Sequence, residues 1–135
     1  LGLEDRVKLL TDLPWEKMRI LFNTADIVVS PNIPVPGTME GFGLSVLEAA
    51  ICRRAVVASD LEGLKDAIHH NENGLLVPPQ DRQAYISVLT SLLANEEERL
   101  ALGERAARYT EKHYHWQHIA RLYADALASA QKKIQ

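Results

Sequence analysis

Four short apolar runs, separated by stretches with helical periodicity, constrain the fold of this chain more than any other feature. Each run is continuously hydrophobic instead of alternating apolar with polar residues, which indicates strands covered on both faces. The runs are Val7–Leu10, Ile27–Ser30, Ala55–Ser59 and Gly74–Val77. Strands of this kind that alternate with helices predict an α/β fold with a doubly wound parallel sheet.

Helical patterns fill the intervals between the runs and then occupy the C-terminal part of the chain. The first, Pro14–Ala25, places Met18, Leu21 and Phe22 on one helix face. Further helices are predicted over Leu44–Cys52, over Gly63–Ile68, from Asp81 as N-cap to Leu93, from Glu96 to about Lys112, and from Trp116 onward. The last three follow one another without a strand, so we expect flanking helices and then a helical C-terminus.

Length and composition exclude several classes of protein. The chain has 135 residues, of which 47% are hydrophobic, and this fits one globular domain with its own core. The formal net charge is -3 and the basic residues are dispersed, so a nucleic-acid interface is not expected. No apolar run approaches the roughly 18 residues of a transmembrane helix, and Glu4, Asp5 and Arg6 interrupt any signal peptide. With a single cysteine, Cys52, we expect a cytoplasmic protein.

The segment from Glu40 to Glu48 predicts a ligand site. Gly41 and Gly43 form a turn that runs directly into the helix beginning at Leu44. The first N–H groups of that helix have no partner within it, and together with the helix dipole they favour a phosphate. Helical side chains lean toward the N-terminus, so Glu48, one turn after Leu44, points back at the same place. Because carboxylates accept hydrogen bonds from sugar hydroxyls, the segment predicts a nucleotide-sugar site.

Simpler explanations of the same residues stay open. Glutamates such as Glu40 and Glu48 are also common at exposed helix starts, and Gly41 and Gly43 serve a tight turn as well as a close ligand. The proline-rich loop Pro31–Met39 follows the carboxyl end of a predicted strand, where such sheets bind ligands, but a surface insertion explains it too.

The histidines are not expected to bind a metal. Those near the C-terminus lack the i, i+4 spacing of a helical metal pair, namely His113, His115 and His118. His69 and His70 are expected in a solvated loop. Trp116 and Tyr123 form an aromatic stripe on the last helix, which is most simply a packing face.

Several motifs together resemble one known family of enzymes. The segment Glu40-Gly41-Phe42-Gly43-Leu44, followed by Glu48, is similar to the E-x7-E signature of family 4 (group 1) glycosyltransferases. These are retaining, nucleotide-sugar-dependent enzymes with the GT-B fold. Further blocks resemble the family in register, namely Leu1–Leu10, Ala25–Pro31, Val56–Asp60 with Gly63, Asn73–Pro79 with Asp81, and His113–Trp116. These blocks span essentially the whole chain.

The resemblance implies a Rossmann-like donor-binding domain and a role for each residue of the motif. Glu48 is expected to hold the ribose hydroxyls of the donor, and Glu40, the catalytic candidate, to contact the transferred sugar. Backbone groups of the turn and helix start are expected to meet the sugar and the diphosphate, namely Gly41, Phe42, Gly43 and Leu44. Leu13 is expected beside the base. No metal or other cofactor is expected, because a helix N-terminus and basic side chains stabilise the leaving diphosphate.

The resemblance also implies that residues 1–135 form only part of a donor-binding domain. The family's domain opens with a strand, a helix and a second strand that carry a basic diphosphate clamp, and an N-terminal acceptor domain precedes it. In the strand order 3-2-1-4-5-6, the two absent strands would lie between Val7–Leu10 and Ile27–Ser30. We therefore expect a fragment that is inactive alone, and that shifts its first strand or self-associates through open sheet edges.

The sequence departs from the family beside a pair of arginines. The family usually has glycine at the position of Arg53 and proline at that of Ala55. Arg53 and Arg54 are expected on solvated surface, and contact with an anionic group is the alternative.

The enzyme expected from the resemblance transfers a hexosyl-type sugar from a nucleoside diphosphate to an acceptor hydroxyl, with retention of configuration. Its expected partners are the nucleotide-sugar donor and the N-terminal acceptor domain. Nucleic acid is excluded, and any peripheral membrane association would reside in the acceptor domain. Two alternatives stay open, a GT-B-fold nucleotide-sugar epimerase or phosphorylase, and a non-catalytic nucleotide-binding or assembly module.

Overall fold

The computed structural model of the chain describes residues 2–38 and 41–131, and over these ranges it contains six helices and three strands. In chain order the elements are α1 (Trp15–Thr24), β1 (Ile27–Ser30), α2 (Leu44–Ile51), β2 (Ala55–Ser59), α3 (Glu62–Ala67), β3 (Leu75–Val77), α4 (Arg82–Ala94), α5 (Glu96–Tyr114) and α6 (Trp116–Gln131). The predicted α/β fold with flanking helices and a helical C-terminus is confirmed.

The three strands form a parallel sheet in the order β1-β2-β3. Val28 pairs with Val56 and Val57 pairs with Leu75, so β2 is the central strand. Every residue of β2 is buried, because both of its faces are covered and both of its edges are paired. The prediction of strands buried on both faces is therefore confirmed for the centre of the sheet.

The alternating side chains of β2 belong to two separate hydrophobic cores. Val56 and Ala58 pack on one face with buried residues of α2, α3 and α5. Ala55 and Val57 pack on the other face with Val77 and with Leu92 of α4. Helix α5 contributes to both cores, through Ala106 on the first face and Leu102 on the second.

The predicted strand Val7–Leu10 is wrong. Residues 7–10 pair with no strand of the described sheet, and every residue from 2 to 12 is exposed, with Leu9 at 90%. The described backbone bonds of this part form a turn only, in which the N–H groups of Arg6 and Val7 donate to the carbonyl of Leu3. An apolar run becomes a strand only beside a partner that satisfies its backbone groups, and in the part of the chain that the structure describes β1 pairs with β2 alone.

A very close approach between the backbones of α5 and the α2–β2 connection fixes the position of α5. A Cβ atom added to Gly103 would clash with the carbonyl oxygen of Arg53 and lie 2.8 Å from its carbonyl carbon. Arg53 itself has a φ of +59°, in the left-handed region that favours glycine. The family's usual glycine at this position therefore has a conformational reason. The Arg53 side chain is exposed and lies 3.4 Å from the Glu104 carboxylate.

The last helix carries an apolar stripe that contacts little of the described chain. No residue of α6 is buried, and Trp116 is 83% exposed. Tyr123 and Leu127 are exposed on the same helix. Among residues 2–38 and 41–131, no helix combines the length and apolarity needed to cross a membrane.

We predict that Gly103→Ala destabilises the protein by about 1–3 kcal/mol or more, because the added methyl group has no space against the Arg53 backbone. Helix propensity alone acts in the opposite direction, since alanine is favoured over glycine in helices by about 1 kcal/mol. Urea unfolding followed by circular dichroism measures the change. The control is Ala101→Gly, at an exposed position of α5, which measures the effect of helix propensity alone. An unchanged or higher unfolding midpoint for Gly103→Ala contradicts the prediction.

Candidate functional site

The start of α2 is a helix N-terminus without a protein cap. Gly43 occupies the N-cap position with a φ of +72°, and no described side chain caps this end. A Cβ atom on Gly43 would lie 2.7 Å from Cδ2 of Leu64, so both the conformation and the space favour glycine. Within the described residues, the N–H groups of Leu44 and Ser45 have no acceptor. These free donors are the feature that the sequence predicted for binding an anion.

Glu48 lies on the wall of a cavity between α2 and α5. The cavity has a volume of about 530 Å³. Its lining residues come from α2, from the end of α5 and from the start of α6, namely Leu44, Leu47, Glu48, Ile51, Thr110, Glu111, Tyr114, His115 and Trp116. We call it the Glu48 cavity. None of the described residues that line it is a lysine or an arginine. The wall is mostly apolar and carries two carboxylates, those of Glu48 and Glu111.

The Glu48 carboxylate is half-buried and has no hydrogen-bond or ion-pair partner among the described residues. Burial raises the pKa of Glu48 above the ordinary value of a glutamate, because desolvation disfavours its charged form. An acceptor that is partly desolvated and unpaired is suited to a ligand that brings hydroxyl donors.

Phe42 was predicted from the sequence as a site residue, but its aromatic partner Tyr114 was not. The rings of Phe42 and Tyr114 meet edge to face, with centroids 5.7 Å apart. The Tyr114 hydroxyl donates to the carbonyl oxygen of Asp66 at 2.9 Å, which ties the end of α5 to α3. Burial raises the pKa of Tyr114, and the nearby Tyr109 and Asp66 add to this effect, so the hydroxyl stays a donor. One signal for this wall was available in the sequence. Thr110 and Tyr114 are four residues apart near the end of a predicted helix, so they share a helix face.

The loop after β1 is held at the carboxyl end of the sheet. The buried Ser59 hydroxyl lies at the end of β2, donates to the carbonyl oxygen of Asn32 at 2.6 Å and contacts the Tyr85 hydroxyl at 2.8 Å. Within the loop, the Ser30 hydroxyl donates to Oδ1 of Asn32 at 2.9 Å. The described part of the loop is thus bonded to the edge of the sheet at which parallel folds bind ligands.

The remaining predicted site residues are Glu40, Gly41 and Leu13. Glu40 lies outside the described residues, together with Met39. Gly41 is exposed, and a Cβ atom there would meet nothing within 4 Å. Leu13 is half-buried in the irregular segment before α1, and it does not line the Glu48 cavity. The structure therefore brings Leu44 and Glu48 together, with Phe42 against the same wall, and leaves the prediction for Leu13 as a prediction.

The basic residues near the α2–β2 connection have structural partners. The Arg54 guanidinium donates to the carbonyl oxygens of Cys52 at 2.8 Å and Ala25 at 3.1 Å. It thereby ties the end of α2 to the end of α1, which the prediction of a solvated side chain did not include. In the described ranges, no group of three or more histidine, cysteine, aspartate or glutamate side chains has an arrangement that could hold a metal ion.

A family model matches most of the chain. The model, described as "Glycosyl transferases group 1", matches residues 1–109. Among curated proteins, a D-inositol 3-phosphate glycosyltransferase of Corynebacterium urealyticum is 34% identical over 121 residues, which is 90% of this chain and 27% of the relative. A D-inositol 3-phosphate glycosyltransferase of Xylanimonas cellulosilytica is 36% identical over 136 residues, which is 98% of this chain and 30% of the relative. The chain thus spans less than a third of the length of these relatives.

Solved structures agree with this match. A sucrose-phosphate synthase from Thermosynechococcus elongatus superposes with a TM-score of 0.75 at 30% identity, over 94% of this chain and 32% of that protein. Anabaena Alr3699/HepE, solved in complex with UDP-glucose, superposes with a TM-score of 0.79 at 25% identity, over 96% of this chain and 34% of that protein. The family signature predicted around Glu48, the parallel sheet and these matches lead to one conclusion, that the chain belongs to the group 1 glycosyltransferase family.

Proposed function

We propose that this chain is the donor-binding part of a glycosyltransferase and that Glu48 binds the ribose hydroxyls of a nucleoside-diphosphate sugar. The observation that carries the proposal is the Glu48 carboxylate, which is half-buried in a cavity and lacks any partner among the described residues. Two vicinal hydroxyls of a ribose satisfy such an acceptor without adding charge.

The distribution of charge supports placing the diphosphate at the start of α2 and not inside the Glu48 cavity. The cavity wall carries Glu48 and Glu111, and its described residues include no lysine or arginine. An anion entering it would be repelled. The free N–H groups of Leu44 and Ser45 lie one turn before Glu48 and favour negative charge. In this proposal, Phe42, Gly43 and Leu44 line the path between the diphosphate and the ribose, and Leu13 lies beside the base.

The proposed reaction transfers a hexosyl-type sugar to an acceptor hydroxyl with retention of configuration. The structure of Anabaena HepE in complex with UDP-glucose supports the proposal that the donor of this chain is a UDP-sugar. The acceptor would bind to a further domain of the complete protein, and no metal is needed for the proposed donor site. We propose a cytoplasmic enzyme, peripheral to the membrane if the acceptor is a lipid.

The open edge of β1 supports the proposal that the donor domain is incomplete in this chain. Among the described residues, β2 is the only strand that pairs with β1, and Val29 is exposed. Additional parallel strands of the same polypeptide would complete the sheet there. In their absence this edge is available to another copy of the chain. We expect the chain alone to be inactive in transfer.

A calorimetric titration of the chain with UDP, GDP and ADP, in the presence of EDTA, tests the donor site. We expect selective binding of UDP, and Glu48→Ala weakens it by about 1–3 kcal/mol, because the ribose hydroxyls lose a partly buried acceptor. Glu97→Ala, an exposed glutamate of α5 outside the cavity, is the control for loss of charge. Unchanged affinity in Glu48→Ala contradicts the ribose assignment. Sedimentation of the same samples tests self-association, and a monomer at all concentrations argues against it.

The raised pKa of Glu48 predicts a conflict between stability and binding. A carboxyl group with a higher pKa in the folded than in the unfolded state holds its proton more strongly when folded. Stability is therefore lost as the pH rises from the ordinary glutamate range through the raised pKa. Glu48→Gln should raise the Tm at neutral pH, lose that advantage below the ordinary glutamate range, and bind UDP more weakly at neutral pH. A lower Tm for Glu48→Gln at neutral pH contradicts this.

Glu40 is proposed to contact the transferred sugar, on the basis of its place in the E-x7-E signature. In the complete enzyme, Glu40→Ala should reduce kcat by about a hundredfold or more while leaving the Kd for UDP nearly unchanged, since UDP lacks the sugar. Steady-state kinetics and UDP titration on one preparation separate the two effects. Equal losses in kcat and in UDP affinity indicate that Glu40 supports the fold of the turn instead.

A further inference from the structure

A second cavity lies on the side of α5 that faces away from Glu48. Its volume is about 430 Å³. The turn before β3 and the outer face of α5 line it, with His69, Glu72, Arg105, Arg108, Tyr109, Lys112 and His113. Lys112 precedes Tyr114 by two residues, a rotation of about 200° around the helix, so the two cavities use opposite faces of α5. We call this second one the basic cavity.

Positive charge is concentrated in the basic cavity, although the whole chain carries a formal net charge of -3. Arg105, Arg108 and Lys112 recur at helical spacing, and Glu72 is the one acid among the described lining residues. Within the described ranges, Arg105 and Lys112 form no ion pair. Arg108 lies 3.9 Å from Glu104, and both side chains are largely exposed, so this pair is weak.

Three aromatic rings form one wall of the cavity. Tyr109 and His113 stack with centroids 4.2 Å apart and an interplanar angle of 27°. The His69 ring also contacts Tyr109, and the centroids of these two rings are 5.3 Å apart. Stacking restricts the orientations of both imidazoles, whose N–H groups are hydrogen-bond donors. The wall thus adds fixed donors to the cations.

The turn that contributes His69 and Glu72 is held by a buried asparagine. Oδ1 of Asn73 accepts from the N–H of His69 at 2.7 Å, and Nδ2 donates to the carbonyl of Ala67 at 2.8 Å. Asn73 is fully buried, and Asn71 takes a left-handed conformation with a φ of +68°. The backbone on this side of the cavity is therefore constrained before any ligand arrives, which lowers the entropy cost of binding.

We propose that the basic cavity binds a phosphate-bearing ligand. A phosphomonoester carries close to two negative charges and three acceptor oxygens at neutral pH. Two arginines, one lysine and the imidazole N–H groups supply the matching charge and donors, and a guanidinium can bind phosphate through two parallel hydrogen bonds. The ligand is either a soluble phosphomonoester or the headgroup of a phosphomonoester lipid, which share this chemistry. The site is independent of the proposed role of Glu48.

The test maps binding on the ¹⁵N-labelled chain by NMR, with methyl phosphate as the soluble probe. Vesicles containing phosphatidic acid form the second arm, with neutral phosphatidylcholine vesicles as their control. We expect amide shifts for methyl phosphate to cluster at residues 69–73 and 105–113. Binding of phosphatidic acid vesicles without binding of methyl phosphate identifies a lipid headgroup as the source. Binding of neither probe, or shifts confined to the start of α2, overturns the proposal.

Matched variants distinguish a built site from general surface charge. The double variant Arg105→Ala/Lys112→Ala should bind about tenfold more weakly, because two cations close to the phosphate are lost. Arg121→Ala, an exposed arginine of α6 outside the cavity, should bind normally. Glu72→Gln should bind about twofold more tightly, since it removes the opposing charge, and misfolding does not produce such a gain. Equal affinity of the double variant and the unaltered chain, or no gain in Glu72→Gln, overturns the proposal.

Discussion

The complete burial of β2 is the constraint on which the rest of this structure depends. A strand with apolar side chains on both faces must be covered twice, and its neighbours must satisfy both of its backbone edges. Helices α2 and α3 cover Val56 and Ala58, while α4 covers Ala55 and Val57. Parallel pairing brings the ends of β1 and β2 to one edge of the sheet, and there Ser59 bonds the loop that follows β1. The position of the candidate site thus follows from the covering of one strand.

Two glycines then determine how helices α2 and α5 are placed against the rest of the structure. Gly43 allows α2 to begin in a left-handed turn against Leu64, and Gly103 lets α5 pack onto the backbone at Arg53. These two helices supply most of the residues that line the Glu48 cavity. A side chain at Gly103 would push the α5 wall of the cavity away from the Arg53 backbone, and one at Gly43 would be strained by the positive φ. Close packing at Gly103, which is outside the cavity lining, therefore positions the α5 wall that faces Glu48.

Sequence patterns predicted the elements that are buried locally and failed where an element depends on a neighbour. The bounds of β1 and β2 were predicted to the residue, because continuous apolar runs between helical patterns have few alternatives. The run Val7–Leu10 is also mostly apolar, but among the described residues no strand lies beside it, and periodicity contains no information about partners. The position of Glu48, one turn after the start of α2, could be predicted from its spacing to the helix start. The contact of Phe42 with Tyr114 could not, because 72 positions separate them and only the packing of α5 on α2 brings them together.

The chemistry of α5 differs between the two faces of the helix that line the two cavities. Its buried stripe of small residues, Gly103, Ala106 and Ala107, lets it lie close to the sheet and α2. That approach leaves Glu111 and Tyr114 against Glu48, and Arg105, Arg108 and Lys112 on the opposite surface. A helix so placed separates a carboxylate-lined cavity from a cation-lined one, and the separation has an electrostatic consequence. Cations adjacent to Glu48 would pair with it and lower its pKa, and a paired carboxylate is a weaker acceptor for hydroxyls. Keeping the basic side chains on the far face leaves Glu48 unpaired, which the proposed binding of ribose requires.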